Sequence, residues 1–202
     1  MIKNMIDKFI EVNDYPDHRI DGVFSCKYNN RIYCRFKIPL IDGGFAYMDQ
    51  AISNTSSGEI VIADSQRFLS AWHNNSNSIV PELSRGDKTA WRLDSKFQDA
   101  ENGFSLGACN PVPLAELHCF FILERGLPIP SVSFTNGITR TIWLLYNDVD
   151  RFPVYAYDHR SSELLQRGIG HRSALPLASS DIFFRYAESV LPKHLRYKAK
   201  KT

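Results

Sequence analysis

Asn136, Gly137, Ile138, Thr139, Arg140 and Thr141 stand between an alternating segment at 132–134 and the apolar run Ile142, Trp143, Leu144 and Leu145. A helix that opens directly after a strand directs several unpaired N–H groups at one spot, with a partial positive charge behind them. Gly137 permits close approach of the backbone. Thr139 offers a hydroxyl, and Arg140 a planar fork suited to phosphate or carboxylate oxygens. The apolar run buries the helix and holds its mouth rigidly, as an oxyanion site requires. A plainer arrangement uses the same residues: Asn136 caps the helix, and Arg140 pairs with Glu116, Glu124 or Asp158.

A literal Gly-His-Arg lies in "GIGHR" at 168–172 and competes with this turn as the phosphate loop. It follows a helix end rather than a strand, and "SALPLASS" after it has no helical pattern, so the Gly137 turn is the better phosphate loop. His159, in "YDHR" at the end of the next strand, has two readings: it faces that turn, or it is a surface histidine. His159 and Glu116 are the catalytic candidates, while His73 and His118 fall in helical patterns. Histidine spacing gives no metal site, and neither H-E-x-x-H nor a paired Cys/His finger occurs. Glu124, Asp148, Asp150, Asp158 and Glu163 also lie near the turn in sequence, with Asp148 and Asp150 read as turn residues.

The elements that must position this turn follow from periodicity. Residues 2–12 carry apolar side chains at helical spacing. "GVFSCKYNNRIYCRFKIP" (22–39) reads as a hairpin about a two-residue Asn29-Asn30 turn, placing Cys26 and Cys34 on opposite faces. "EIVIA" (59–63) is a strand, and Asp64 suits the N-cap of a helix burying Phe68, Leu69 and Trp72. Residues 74–90 read as loop, with room for one helical turn in "VPELSRG". Pro113 fits the first turn of a helix through "LAELHCFFILE". "LPIPSVSF" (127–134) is extended, as is "RFPVYAY" (151–157). "SSELLQRGIG" and "SSDIFFRYAESVL" close the series as helices. This mixed order favours an α+β fold over a doubly wound sheet.

The totals restrict the function classes. At 44% hydrophobic and 23% charged the chain is an ordinary globular domain of 202 residues. No stretch approaches the length of a membrane span, and the N-terminus lacks a signal-peptide core, so a cytoplasmic protein is expected. Four cysteines without a C-x-x-C suit buried reduced thiols. The net charge of +2 is uneven. Lys193, Arg196, Lys198, Lys200 and Lys201 form a basic tail that could neutralise nucleic-acid phosphates. Residues 1–192 are then net acidic, so the body as a whole is no basic DNA-binding face.

The runs "NPVPLAELHC" (110–119) and "VSFTNGITRTIWLLYNDVDRFPV" (132–154) resemble the plasmid fertility-inhibition factors of the ParB/sulfiredoxin superfamily, with "GEIVIADSQRFLSAW" (58–72) extending the likeness more loosely. The resemblance implies a compact single-domain α+β fold, with a mixed sheet and packed helices, over residues 21–192. Residues 1–20 would be a helical extension and 193–202 the basic tail. In the family pattern a strand is followed by Gly-x-His-Arg or Gly-Arg-His-Arg-Thr opening a helix. Gly137, Arg140 and Thr141 keep that motif, and Asn136 holds the turn position before it. Ile138 and Thr139 depart from it, where the pattern has a basic residue and a histidine. Threonine can donate a hydrogen bond but cannot exchange a proton near neutral pH.

The implied role is suppression of conjugative transfer of a co-resident plasmid. It would act through the transfer machinery (a coupling protein or relaxosome) or through the DNA delivered. ATP is the implied cofactor, with a divalent metal if ATP or DNA is cleaved. Three readings stay open: an ATPase or DNase acting at the Gly137 turn, a non-catalytic inhibitor that occupies a transfer component, and a small DNA-binding module using the tail. No membrane insertion is implied.

Overall fold

The computed structural model describes residues 6–10, 20–26 and 29–190. The basic tail residues Lys193, Arg196, Lys198, Lys200 and Lys201 therefore lie outside the described residues. Two five-stranded sheets are present. The first runs β1 (Ile6–Ile10), β2 (Ile20–Cys26), β3 (Arg31–Pro39), β4 (Phe45–Ile52), then β6 (Val112–Pro113). It is antiparallel except where β6 joins β4. The second is ordered β10 (Leu177–Ala178), β5 (Glu59–Asp64), β9 (Arg151–Ala156), β7 (Ala115–Glu124), β8 (Leu127–Asn136). Here β7 and β9 pair in parallel, and the other pairs are antiparallel. Both sheets and the helices share one apolar core, so the α+β expectation is met with two mixed sheets.

The core is aromatic. Phe68 and Trp72 of α1 (Ser65–His73) pack edge-on against Phe152 and Phe134, with centroids 5.5 and 5.3 Å apart. As its sequence suggests, α1 is capped by Asp64, whose Oδ1 accepts from the N–H of Gln66 and Arg67. Strand β5 is buried along residues 59–63, as its unbroken apolar run requires.

Three expectations are corrected. Residues 6–10 are strand, not helix; residues 2–5 and 11–12 of the expected helix lie outside the described residues. The register against β2 shifts between Ile6 and Phe9, which breaks the alternation that would have marked a strand. Residues 115–124 are also strand rather than helix. Leu117 and Cys119 are buried while His118 and Phe120 are exposed, a period of two that the run "CFFIL" obscures. His118 therefore sits on a strand.

The third correction is the hairpin register: Cys26 faces Arg31 and Val23 faces Cys34, so the connection is four residues long rather than two. A shift of two keeps side-chain parity, and the thiols still lie on opposite faces. All four cysteines are free, with Cys34 and Cys119 buried.

The loop read at 74–90 contains α2 (Pro81–Ser84) and the start of α3 (Lys88–Arg92), and α4 (Phe97–Ser105) follows. Helix α5 (Ile138–Tyr146) joins β8 to β9, α6 (His159–Gly168) follows β9, and α7 (Ser179–Val190) follows β10.

Strand β8 is an edge of its sheet. The Nδ2 groups of Asn74 and Asn75 donate to Pro130 O (3.1 Å) and Val132 O (2.8 Å) on its outer side. Pro128 and Pro130 share that outward parity, so two donors are missing there.

Candidate functional site

The strand–turn–helix expected at 132–146 is present, and α5 is held by aromatic contacts. Trp143 stacks on Phe104 of α4, with centroids 4.1 Å apart and planes at 18°, and Tyr146 meets Phe97 edge-on at 5.0 Å. Thr141, Ile142, Leu144 and Leu145 are buried alongside them.

Gly137 precedes the helix at φ +99°, in the left-handed region. No side chain caps the first turn. Asn136 does not take the capping role; its Oδ1 accepts from Arg140 Nη2 at 3.3 Å. The helix mouth thus keeps its amide donors.

Arg140 is not paired with an acid. Nη1 donates to Pro113 O (2.8 Å) and Leu114 O (3.0 Å), across the step from β6 to β7. Two backbone carbonyls and one amide fix the guanidinium, while Nε–H and one Nη2–H have no partner among the described residues. Burial lowers the Arg140 pKa and the neighbouring Glu116 opposes that. An arginine remains charged regardless.

Asn136 and Arg140 line two cavities. One, of about 450 Å3, opens at the helix mouth and also includes Gly137, Ile138, Thr139, Ser95 and Lys96. The other, of about 470 Å3, reaches toward the first sheet and takes in Glu116, Arg31, Tyr33 and Phe24. Of the expected anion-binding residues, the mouth thus brings together Asn136, Gly137, Thr139 and Arg140. Thr141 stands apart: its side chain is fully buried and its hydroxyl donates to Gly137 O at 2.9 Å.

The two catalytic candidates separate. Glu116 lines the cavity beside Arg140 and accepts from the Tyr157 hydroxyl, a bond that raises the tyrosine pKa. His159 lines neither cavity. Its Nδ1 lies 2.7 Å from Glu59 Oε1, its Nε2 is 3.5 Å from Glu163, and these carboxylates raise its pKa, the Glu59 hydrogen bond most. Glu59 also accepts from the Ser162 hydroxyl, so His159 belongs to a network at the start of α6.

Sequence reasoning missed Lys96 and Tyr157. Lys96 precedes a helix that was not foreseen, and Tyr157 reaches Glu116 only through the parallel pairing of β7 with β9, which no local pattern encodes. No group of three His, Cys, Asp or Glu side chains converges among the described residues.

A further cavity, about 660 Å3, lies at the opposite, C-terminal end of α5. Asp64, Asp87, Asp148 and Asp150 line it with Arg85 and Lys88. Its acids and the negative helix end disfavour phosphate.

This α+β domain has known counterparts. The chain belongs to the plasmid fertility inhibition factor family, which it matches over residues 60–170. Protein osa of Shigella flexneri is 36% identical over 77 residues, and the match covers 38% of this chain and 39% of that protein's length. The crystal structure of an oncogenic suppression activity protein, a plasmid fertility inhibition factor solved as its gold(I) cyanide derivative, superposes with a TM-score of 0.64 at 28% identity, covering 79% of each chain. No helix among the described residues is long and apolar enough to cross a membrane.

Proposed function

We propose that the mouth of α5 binds the phosphate groups of a nucleotide or of single-stranded DNA, and that this binding serves the suppression of conjugative transfer of a co-resident plasmid. The observation that carries this reading is the fixed guanidinium of Arg140. It is held on two main-chain carbonyls rather than neutralised by an acid, beside a helix start that no side chain caps. Lys96 adds a second cation to the same cavity, against one lining acid, Asp94, and the balance stays positive.

ATP is the expected nucleotide. The residues around Arg140 do not furnish a metal cage: Asp49 is tied to Arg35 and Glu116 to Tyr157, so no step is routed through a metal. Thr139 can donate to a phosphate oxygen and cannot act as acid or base at neutral pH. Binding without fast hydrolysis, with the loaded protein acting on a transfer component such as the coupling protein or relaxosome, is therefore favoured over an ATPase or DNase. Glu116 is the residue that would serve hydrolysis, since it shares a cavity with Arg140.

The test compares wild type with Arg140→Ala in two assays. Calorimetry with ATP and with a single-stranded oligonucleotide should show binding that the variant loses at least tenfold. A mating assay in donor cells should show depressed plasmid transfer, relieved by the variant. Equal binding by the variant removes the site, and full inhibition by it detaches the site from the role.

A further inference from the structure

The second cavity that Arg140 lines is walled on its far side by the first sheet. There Phe24 of β2 and Tyr33 of β3 face each other across the hairpin, with ring centroids 5.6 Å apart and planes at 17°. The Arg35 guanidinium lies 4.6 Å from the Phe24 ring centre, completing a flat stack. It is locked by two parallel bonds to Asp49, 2.9 and 3.0 Å. Asn29 Nδ2 donates to the Tyr33 hydroxyl at 2.8 Å and holds that ring. Arg35 and Asp49 neutralise each other, which leaves Arg31 and Arg140 against Glu116 and a positive balance in the cavity.

We infer that this cavity holds the base of the nucleotide whose phosphates sit at the α5 mouth. Arg140 and Asn136, which line both cavities, would stand at the junction between base and phosphate. A half-buried tyrosine backed by a phenylalanine and a fixed guanidinium is a stacking platform, and every nucleobase presents a flat face to it. The volume, about 470 Å3, lies within the range of small-molecule sites. Asn110 and the Nδ2 of Asn136, which has no partner among the described residues, supply amides at the rim for the base edge. Charge alone would not need this arrangement, because a phosphate gains nothing from stacked rings. The inference rests on the proposed phosphate site and adds to it the chemical class of the remaining part of the ligand.

The test separates the two. Calorimetry compares ATP with inorganic tripolyphosphate on wild type, Tyr33→Ala and Arg140→Ala. Wild type should bind ATP more tightly than tripolyphosphate. Tyr33→Ala should lose about tenfold for ATP while keeping tripolyphosphate, and Arg140→Ala should lose both. Tyr33→Phe, which keeps the ring, should retain ATP affinity. Tyr33→Leu, which keeps apolar bulk without a π face, should lose it, guarding against a folding defect in the alanine variant.

Loss confined to an oligothymidylate would assign the stacked base to a strand and still support the site. Equal wild-type affinities for ATP and tripolyphosphate, with no effect of Tyr33→Ala on either ATP or the oligonucleotide, would overturn the base site and leave the phosphate site standing. Absence of binding by all three ligands would overturn both. Cys109 lines the same cavity and is exposed, so ATP should also slow its alkylation, whereas tripolyphosphate should not.

Discussion

Gly137 and Ala115 are in contact so close that neither can change freely: a Cβ on Gly137 would stand 2.8 Å from both the Cα and the Cβ of Ala115. The left-handed φ of +99° adds a second restriction at the same position. Gly137→Ala should therefore cost roughly 2–4 kcal/mol, from strain and from overlap with main chain that cannot yield. Gly107, at φ +56° with nothing within 4 Å of its would-be Cβ, is the control, and Gly107→Ala should cost about 1 kcal/mol. Urea denaturation of the two variants measures the difference.

Trp143 anchors the other end of the site's support. It is 8% exposed and stacks on Phe104. Trp143→Ala should lower stability by about 3–5 kcal/mol, and Trp143→Phe by less, because the phenylalanine ring keeps part of the stack. Thermal melts report stability. Ligand affinity in the Phe variant reports whether the mouth still holds its geometry.

The cysteines should differ in reactivity. Burial pushes the Cys119 thiol up to about 11 and drives that of Cys34 higher still. Both should resist iodoacetamide in the native protein at neutral pH and react once it is unfolded, while exposed Cys109 reacts in the native state. Peptide mass spectrometry before and after urea reads the order.

His159 should give stability a pH dependence of defined sign. Its folded pKa lies above the ordinary 6.5 because Glu59 and Glu163 favour the imidazolium. The contribution is thus fully present below about pH 6.5 and is lost as pH rises through the folded value. His159→Gln should flatten the stability profile over that window, measured by denaturation at several pH values. A profile that keeps its slope in the variant places the dependence elsewhere.

Local signals carried much of the architecture. Asp64 announces α1, the Asn-Gly pair announces the mouth of α5, and the unbroken apolar run of β5 announces a strand covered on both faces. Where two periods compete, sequence gave way to tertiary context. Residues 115–124 hold enough consecutive apolar side chains to satisfy a helix or a strand, and pairing with β8 and β9 decides. The candidate site divides along the same line. Asn136, Gly137, Thr139 and Arg140 are adjacent in sequence and were legible there. The partners of Arg140 are the carbonyls of residues 113 and 114, which carry no residue-type signature at all. Tyr33 is more remote still, since only the placing of the first sheet brings a hairpin residue to the cavity that Arg140 lines.

The outer margin of β8 bears on how this protein can meet another. With Pro128 and Pro130 offering no hydrogen to share and two asparagine amides already occupying the carbonyls at 130 and 132, this stretch cannot template an incoming extended segment. A partner that docks by strand addition is thereby refused along 128–132. Self-association through that margin is refused by the same chemistry.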